Sequence, residues 1–487
     1  MSATRKLWTG LAVLLAASFA VLLWVGNEIH RQMPPLPSAV ITSEGETVFT
    51  RADIERGRQV WQSIGGHQLG SIWGHGSYVA PDWTADWLHR EAEAWLDLRT
   101  QAVSGQRWSE LEPALQAAEQ ARLQPLIRAN TYDAERDVVV IDPQRAQAIA
   151  TVADHYVRLF GNDPDFVDLR RAYAMKNGTV ADPERAQALT AFIWWSAWAA
   201  VTERPGKTIT YTANWPHEPL VGNTPPPHLL LWTVFSVLFL LAGVGLLGWY
   251  YATQREEHPD KLPASDPLAA IVVTPSMKAT QKYFWVVIAL FLTQILLGAL
   301  TAHYQVEGHD FYGIALSEIL PYSLTRSWHT QLAILWIATA WLGMGLYIGP
   351  AISGHEPKFQ RLGVNVLFVC LLIIVVGAFA GQWFAVMQKL GLEHNFWFGH
   401  QGWEYVDIGR FWQWFLFIGL GLWLFLVGRT LVPAIRRGGE HKSITLLLFL
   451  STVCIGLFYG AGLMYGEHTH LSMVEYWRWW VVHLWVE

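Results

Sequence analysis

Seven long apolar runs punctuate the chain, at approximately Leu7–Val25, Leu229–Tyr251, Tyr283–Thr301, Leu324–Ile348, Leu362–Met387, Phe411–Leu431 and Ser443–Met464, and an eighth begins at Val474. Runs of roughly 18–25 apolar residues are long enough to cross the ~30 Å hydrocarbon layer as α-helices. The pattern predicts an all-α fold class, a multi-pass transmembrane bundle. It divides the chain into an N-terminal anchor (1–29), a soluble domain (30–227) and a transmembrane part (228–487). The first run is longer than the apolar core of a signal peptide and no clear small-x-small site follows it, which favours an anchor over a cleaved leader.

Lys and Arg fix the orientation. Arg5 and Lys6 precede the first run, Arg255, Lys261, Lys278 and Lys282 follow the second, Lys358 and Arg361 the fourth, and Arg429, Arg436, Arg437 and Lys442 the sixth. These fall on one side if every run crosses, so that side is cytoplasmic and residues 30–227 lie outside. Within the outer segment, Asp142-Pro143 and Asp182-Pro183 each supply an N-cap followed by proline at the first helical position. Trp83–Arg99 and Ser109–Arg128 are rich in helix formers, and Val138–Ile141 reads as at most one short strand.

Composition sharpens this reading. Only 15% of the 487 residues are charged and 52% are hydrophobic, whereas soluble domains carry about a quarter charged residues. The net charge of −6 is carried entirely by residues 30–227, since acidic and basic residues balance elsewhere. No basic stripe exists, which argues against nucleic acid as a partner. The two cysteines, Cys370 and Cys454, both lie in apolar runs, leaving no disulfide framework, no Cys-rich zinc site and no C-x-x-C-H for a covalent haem. Pro205-Gly206-Lys207-Thr208 resembles the end of a phosphate loop, but Val201 stands where the upstream glycine belongs.

Ionisable side chains inside spans are costly and mark functional candidates. His329 and His483 both fall in the outer half of inward-running spans. Each is a candidate ligand for haem iron or a non-haem metal, with a hydrogen-bonded core histidine as the alternative. His483 and Glu487 are four residues apart, about 40° offset on one helix face. Such a pair can chelate one ion or close a helical turn as an ion pair. Mixed imidazole and carboxylate ligation suits iron(II) better than copper(I).

Longer motifs carry a resemblance. The runs Trp61–Gly66 and Gly70–Trp87, the latter containing Gly74-His75-Gly76-Ser77-Tyr78, join Arg326-Ser327-Trp328-His329, Gln401-Gly402-Trp403-Glu404-Tyr405 with Asp407, and Trp480–Glu487. Together they resemble the quinol-dependent nitric oxide reductases of the haem–copper oxidase superfamily, over essentially the whole chain. The resemblance implies that His329 is an axial ligand of a low-spin haem b, with Arg326 beside its propionates. It implies that His483 and Glu487 ligate a non-haem iron facing a high-spin haem b3, where oxygen-reducing cousins carry a tyrosine in place of Glu487.

By the same resemblance, Glu404 helps to hold a calcium ion completed by groups of Gly76 and Tyr78, an oxygen donor set that suits calcium; the alternative is an exposed Glu at a helix start. The outer domain is similar to a cytochrome c subunit, yet Gly66-His67-Gln68-Leu69-Gly70 replaces the haem-attachment motif. Membrane quinol, with no cytochrome c required, is then the implied donor. His303 and Glu307 are the first candidates for its proton acceptors, with His309, Asp310 and Glu318 behind them, and solvated loop polarity is the alternative for all five. The implied setting is a bacterial cytoplasmic membrane with the soluble domain in the periplasm, and a homodimer is compatible with it.

Val474 to Glu487 gives about 21 Å of helix, short of a full crossing. The expectation is therefore an N-terminal part of a longer protein whose remaining haem and iron ligands lie beyond residue 487. The expected activity is reduction of nitric oxide to nitrous oxide. Its rivals are a quinol-oxidising oxygen reductase, a transporter or proton relay without haem, and a membrane-embedded scaffold without catalysis.

Overall fold

Apolar length and helix propensity translate directly into the observed elements. The computed structural model describes residues 3–254, 264–308, 313–314, 316–439 and 441–483. Seven helices among them are long and apolar enough to cross a membrane: Arg5–Gln32, Pro227–Gln254, Pro275–Val306, Tyr322–Ser353, Gln360–Val386, Arg410–Arg437 and Lys442–Ala461. Each contains one expected apolar run and usually extends past it at both ends, because polar residues at the rims continue the backbone ladder where headgroups and water can solvate them. The eighth run forms Leu471–Val481, capped by the His470 side chain, which accepts from the Ser472 N–H.

Within a bilayer the hydrophobic effect does not distinguish a neighbouring helix from lipid, so packing and interhelical hydrogen bonds hold helices together. Tyr283 Oη donates to the Val364 carbonyl at 2.7 Å, Trp336 Nε1 to Gln294 Oε1 at 2.7 Å, Gln360 Nε2 to the Leu426 carbonyl at 2.9 Å and Trp423 Nε1 to the Leu342 carbonyl at 3.2 Å. The first helix packs on the last: Tyr476 Oη donates to the Leu22 carbonyl at 2.9 Å, and a Cβ at Gly26 would lie 2.4 Å from the Tyr476 ring. By contrast, Pro227–Gln254 buries none of its residues.

The outer part is built around Pro183–Val201, whose residues from Ala188 onward are all buried. Two aspartate-proline starts are realised: Asp142 accepts from the Gln144 and Arg145 N–H groups, Asp182 from those of Glu184 and Arg185. Strand content exceeds the single short strand expected. A four-stranded sheet runs in the order Thr47–Thr50, Ala39–Thr42, Val138–Ile141, Tyr132–Asp133, and a separate ribbon pairs Ser71–Ile72 with His75–Gly76. Strands of two to four residues are too short for a period-two pattern to stand out, and Ala39–Thr42 pairs in parallel with a segment about a hundred residues away.

Candidate functional site

The outer part meets the membrane helices through the Gly66–Gln68 turn. Gly66 (φ +53°) and Gly402 (φ +75°) approach so closely that a Cβ on Gly66 would lie 2.2 Å from the Gly402 carbonyl oxygen. This approach lets the His67 N–H donate to the Gly402 carbonyl at 2.9 Å, while the His67 carbonyl accepts from the Ser77 N–H at 2.7 Å. Asp82 braces the same loop: its carboxylate accepts from Ser71 Oγ, the Gly74 N–H and the Ala85 N–H, and so caps Trp83–Ser104.

Behind the turn lies a buried polar chain. Arg326 donates to Gln68 Oε1 and, at 2.8 Å, to Glu404 Oε1. Gln68 Nε2 and Gln331 Nε2 both donate to Asp407 Oδ2, at 3.0 and 3.1 Å. Burial pushes the Asp407 carboxyl up to about 8, outweighing the two amide donors. His400 is pushed down to about 3 by burial and pairs with Ser327 Oγ at 2.7 Å.

Glu404 is joined to the outer part through His75, whose Nε2 is 3.3 Å from Glu404 Oε2 and whose Nδ1 is 3.1 Å from Glu475 Oε2. Burial opposes protonation of His75, but Glu404 and Glu475 prevail and raise its pKa. Burial likewise disfavours the Glu404 carboxylate, yet His75 and Arg326 hold it down at about 2. His67 is fully enclosed, held well below the usual imidazole range by burial and then by the neighbouring His75. Its ring centroid is 4.1 Å from that of His75, and Trp61 and Trp403 stand edge-on to it. His67, His75, Glu475 and Arg478 were not singled out from sequence as site residues. The Glu475 and Arg478 pair in an aromatic, apolar stretch was the available signal, because charges there are costly.

The expected site residues fall into separate places. His329 Nδ1 is 2.9 Å from the Gln294 carbonyl, which fixes the proton on Nδ1 and leaves Nε2 as the donor atom. A Cβ on Gly298 would lie 2.7 Å from His329 Cε1, so this glycine makes room for the ring. Beside it is a cavity of about 250 Å³ lined by Thr330, Ala333, Ile334, Ile337, Trp341 and Tyr405. An imidazole with a fixed tautomer on a largely apolar cavity fits one face of a haem. Arg326 belongs to the Glu404 cluster instead of this cavity.

His483 is exposed and stacks on Trp479 with ring centroids 4.2 Å apart. Glu487 lies outside the described residues. Of the groups expected around calcium, Glu404 is brought against residue 75, next to Gly76, with both oxygens already facing Arg326 and His75. The Tyr78 side chain is 83% exposed and its Oη donates to the Gly74 carbonyl. His303 and Glu307 are brought together: the helix Gln281–Val306 continues to their level, and His303 Nδ1 lies 2.8 Å from Glu307 Oε2. Glu318 is exposed, and His309 and Asp310 lie outside the described residues.

Comparison with known proteins adds three findings. Residues 37–217 match the cytochrome c-like domain family of the nitric oxide reductase protein NorB. Residues 278–487 match the family described as cytochrome c and quinol oxidase polypeptide I. The chain is also similar to the NorB-type nitric oxide reductase protein of Stutzerimonas stutzeri, 26% identical over 219 residues, which is 44% of this chain and 42% of that protein.

Proposed function

The chain belongs to the NorB-type haem–copper oxidases and is a multi-pass membrane protein, and from that premise we propose that it takes part in quinol-dependent reduction of nitric oxide to nitrous oxide. The observation that carries this reading is a mismatch. The outer part matches a cytochrome c-like domain, yet neither cysteine falls within residues 37–217. A covalent haem c cannot be held there, so the donor has to be one that reaches the bundle without it, and quinol is already dissolved in the bilayer.

In this reading His329 holds low-spin haem b through Nε2, with its ring aimed by the Gln294 carbonyl. His483 and Glu487 ligate a non-haem iron opposite haem b3. When bound, the metals supply electrons and hold two nitric oxide molecules close enough to couple. The His303–Glu307 pair at 2.8 Å is placed to take a proton from a quinol hydroxyl, the imidazole accepting and the carboxylate stabilising the resulting charge. Arg326 and Glu404 form the polar floor on which haem carboxylates and a calcium ion would rest. The outer part sits on the periplasmic side of a bacterial cytoplasmic membrane.

The test uses the full-length protein that contains this chain, purified from membranes and supplied with a reduced quinol. Nitric oxide consumption with b-type haem bands and no copper is expected. Copper in place of non-haem iron with oxygen consumption would establish the oxygen reductase, and absence of b-type haem would leave a transporter.

A further inference from the structure

We infer that His67, His75 and Glu475 form a binding site for a divalent transition-metal ion of the zinc class, where the outer part meets the helix Leu471–Val481. One ligand atom from each residue lies within 4.8 Å of the others. In a tetrahedral zinc site with bonds of about 2.0–2.1 Å, neighbouring ligand atoms are about 3.3 Å apart. Here His75 Nδ1 is 3.1 Å from Glu475 Oε2, and His67 Nε2 is 3.7 Å from Glu475 Oε1. Three side chains are thus already spaced around a common centre, with a fourth position left for water.

The hydrogen-bond census points the same way. His75 Nδ1 and Glu475 Oε1 are buried and form no hydrogen bond. Leaving such groups unpaired away from water is costly, and one ion among them satisfies both. Arg478 takes up the other side of the carboxylate, its Nε 3.2 Å from Glu475 Oε2. His67 is held neutral by burial, the state a ligand needs, and capture displaces the proton that His75 shares with the carboxylates. Its tautomer must change too, because His67 Nδ1 now accepts from the Glu404 N–H at a long 3.5 Å.

Two nitrogens and one carboxylate exclude calcium, which takes oxygen ligands, and suit zinc or a neighbouring first-row ion. The expected calcium ligand Glu404 faces the opposite nitrogen of His75, so the two sites share a ring without sharing a ligand atom. The ligands come from the Gly66–Gln68 turn, the His75–Gly76 strand and the helix that leads to His483. A bound ion therefore staples the outer part to that helix.

The full-length protein in detergent is equilibrated with zinc chloride in excess calcium and magnesium, metal per chain is counted, and the zinc is located by anomalous scattering. One zinc among the three side chains is expected, with affinity falling more than about tenfold in His75→Ala and Glu475→Gln while the haem spectrum stays native. If a variant loses its haem spectrum, the position of the zinc in the unmodified protein decides. No zinc uptake, zinc only at His483 or at exposed histidines, or equal uptake by natively folded variants would overturn the inference.

Discussion

At His329 a missing methyl group decides where the imidazole sits. Because a Cβ on Gly298 would come within 2.7 Å of the ring, Gly298→Ala should displace it from the Gln294 carbonyl. The expected outcome is loss or shift of the low-spin haem b band, read from the reduced visible spectrum. Asp407 offers a second test. Its folded-state pKa of about 8 lies above the ~4 of an unfolded aspartate, so between those values the folded chain holds a proton that the unfolded chain has released. Stability therefore falls as pH rises through that window, by at most about 1.4 kcal/mol per unit. Asp407→Asn should remove this slope, and unfolding curves from pH 5 to 8 that stay parallel to the parent would refute the shift. His329, Arg326 and Glu404 were legible in the sequence because charged or imidazole groups stand out in apolar surroundings. Gln294 was not, since its role lies in a backbone carbonyl, which every residue possesses.

Helices of the bundle were legible because a crossing segment must be apolar over its whole length, which no local accident reproduces. The seams between them were not. Gly26 gives no sign in the sequence that it receives the Tyr476 ring from the helix Leu471–Val481. Gly26→Val should overpack this seam and cost about 1–3 kcal/mol, seen as a lower thermal midpoint in detergent. The short strands of the outer part went unread for a related reason. Ala39–Thr42 becomes a strand by pairing with Thr47–Thr50 and Val138–Ile141, the latter about a hundred residues away, and pairing across that distance leaves no local periodicity.

Over the whole molecule, the Gly66–Gly402 approach seats the outer part on the membrane bundle. Gly66→Ala puts a Cβ against the Gly402 backbone and should loosen this docking, with faster limited proteolysis around residues 217–227 while the b-type haem spectrum persists. Unchanged cleavage would place the docking elsewhere. From sequence alone came the number and course of the membrane helices, the acidic outer segment, the haem c motif that the outer segment lacks, and the separate histidine and carboxylate candidates. Those follow from composition and short-range spacing, which the chain carries whether folded or not. Only the tertiary structure decided that His75, from the outer part, bridges Glu404 and Glu475, and that His67 and Gln68 reach into the top of the bundle. Such contacts join residues hundreds of positions apart, and the burial that perturbs His67, His75 and Asp407 exists only once those segments exclude water from one another.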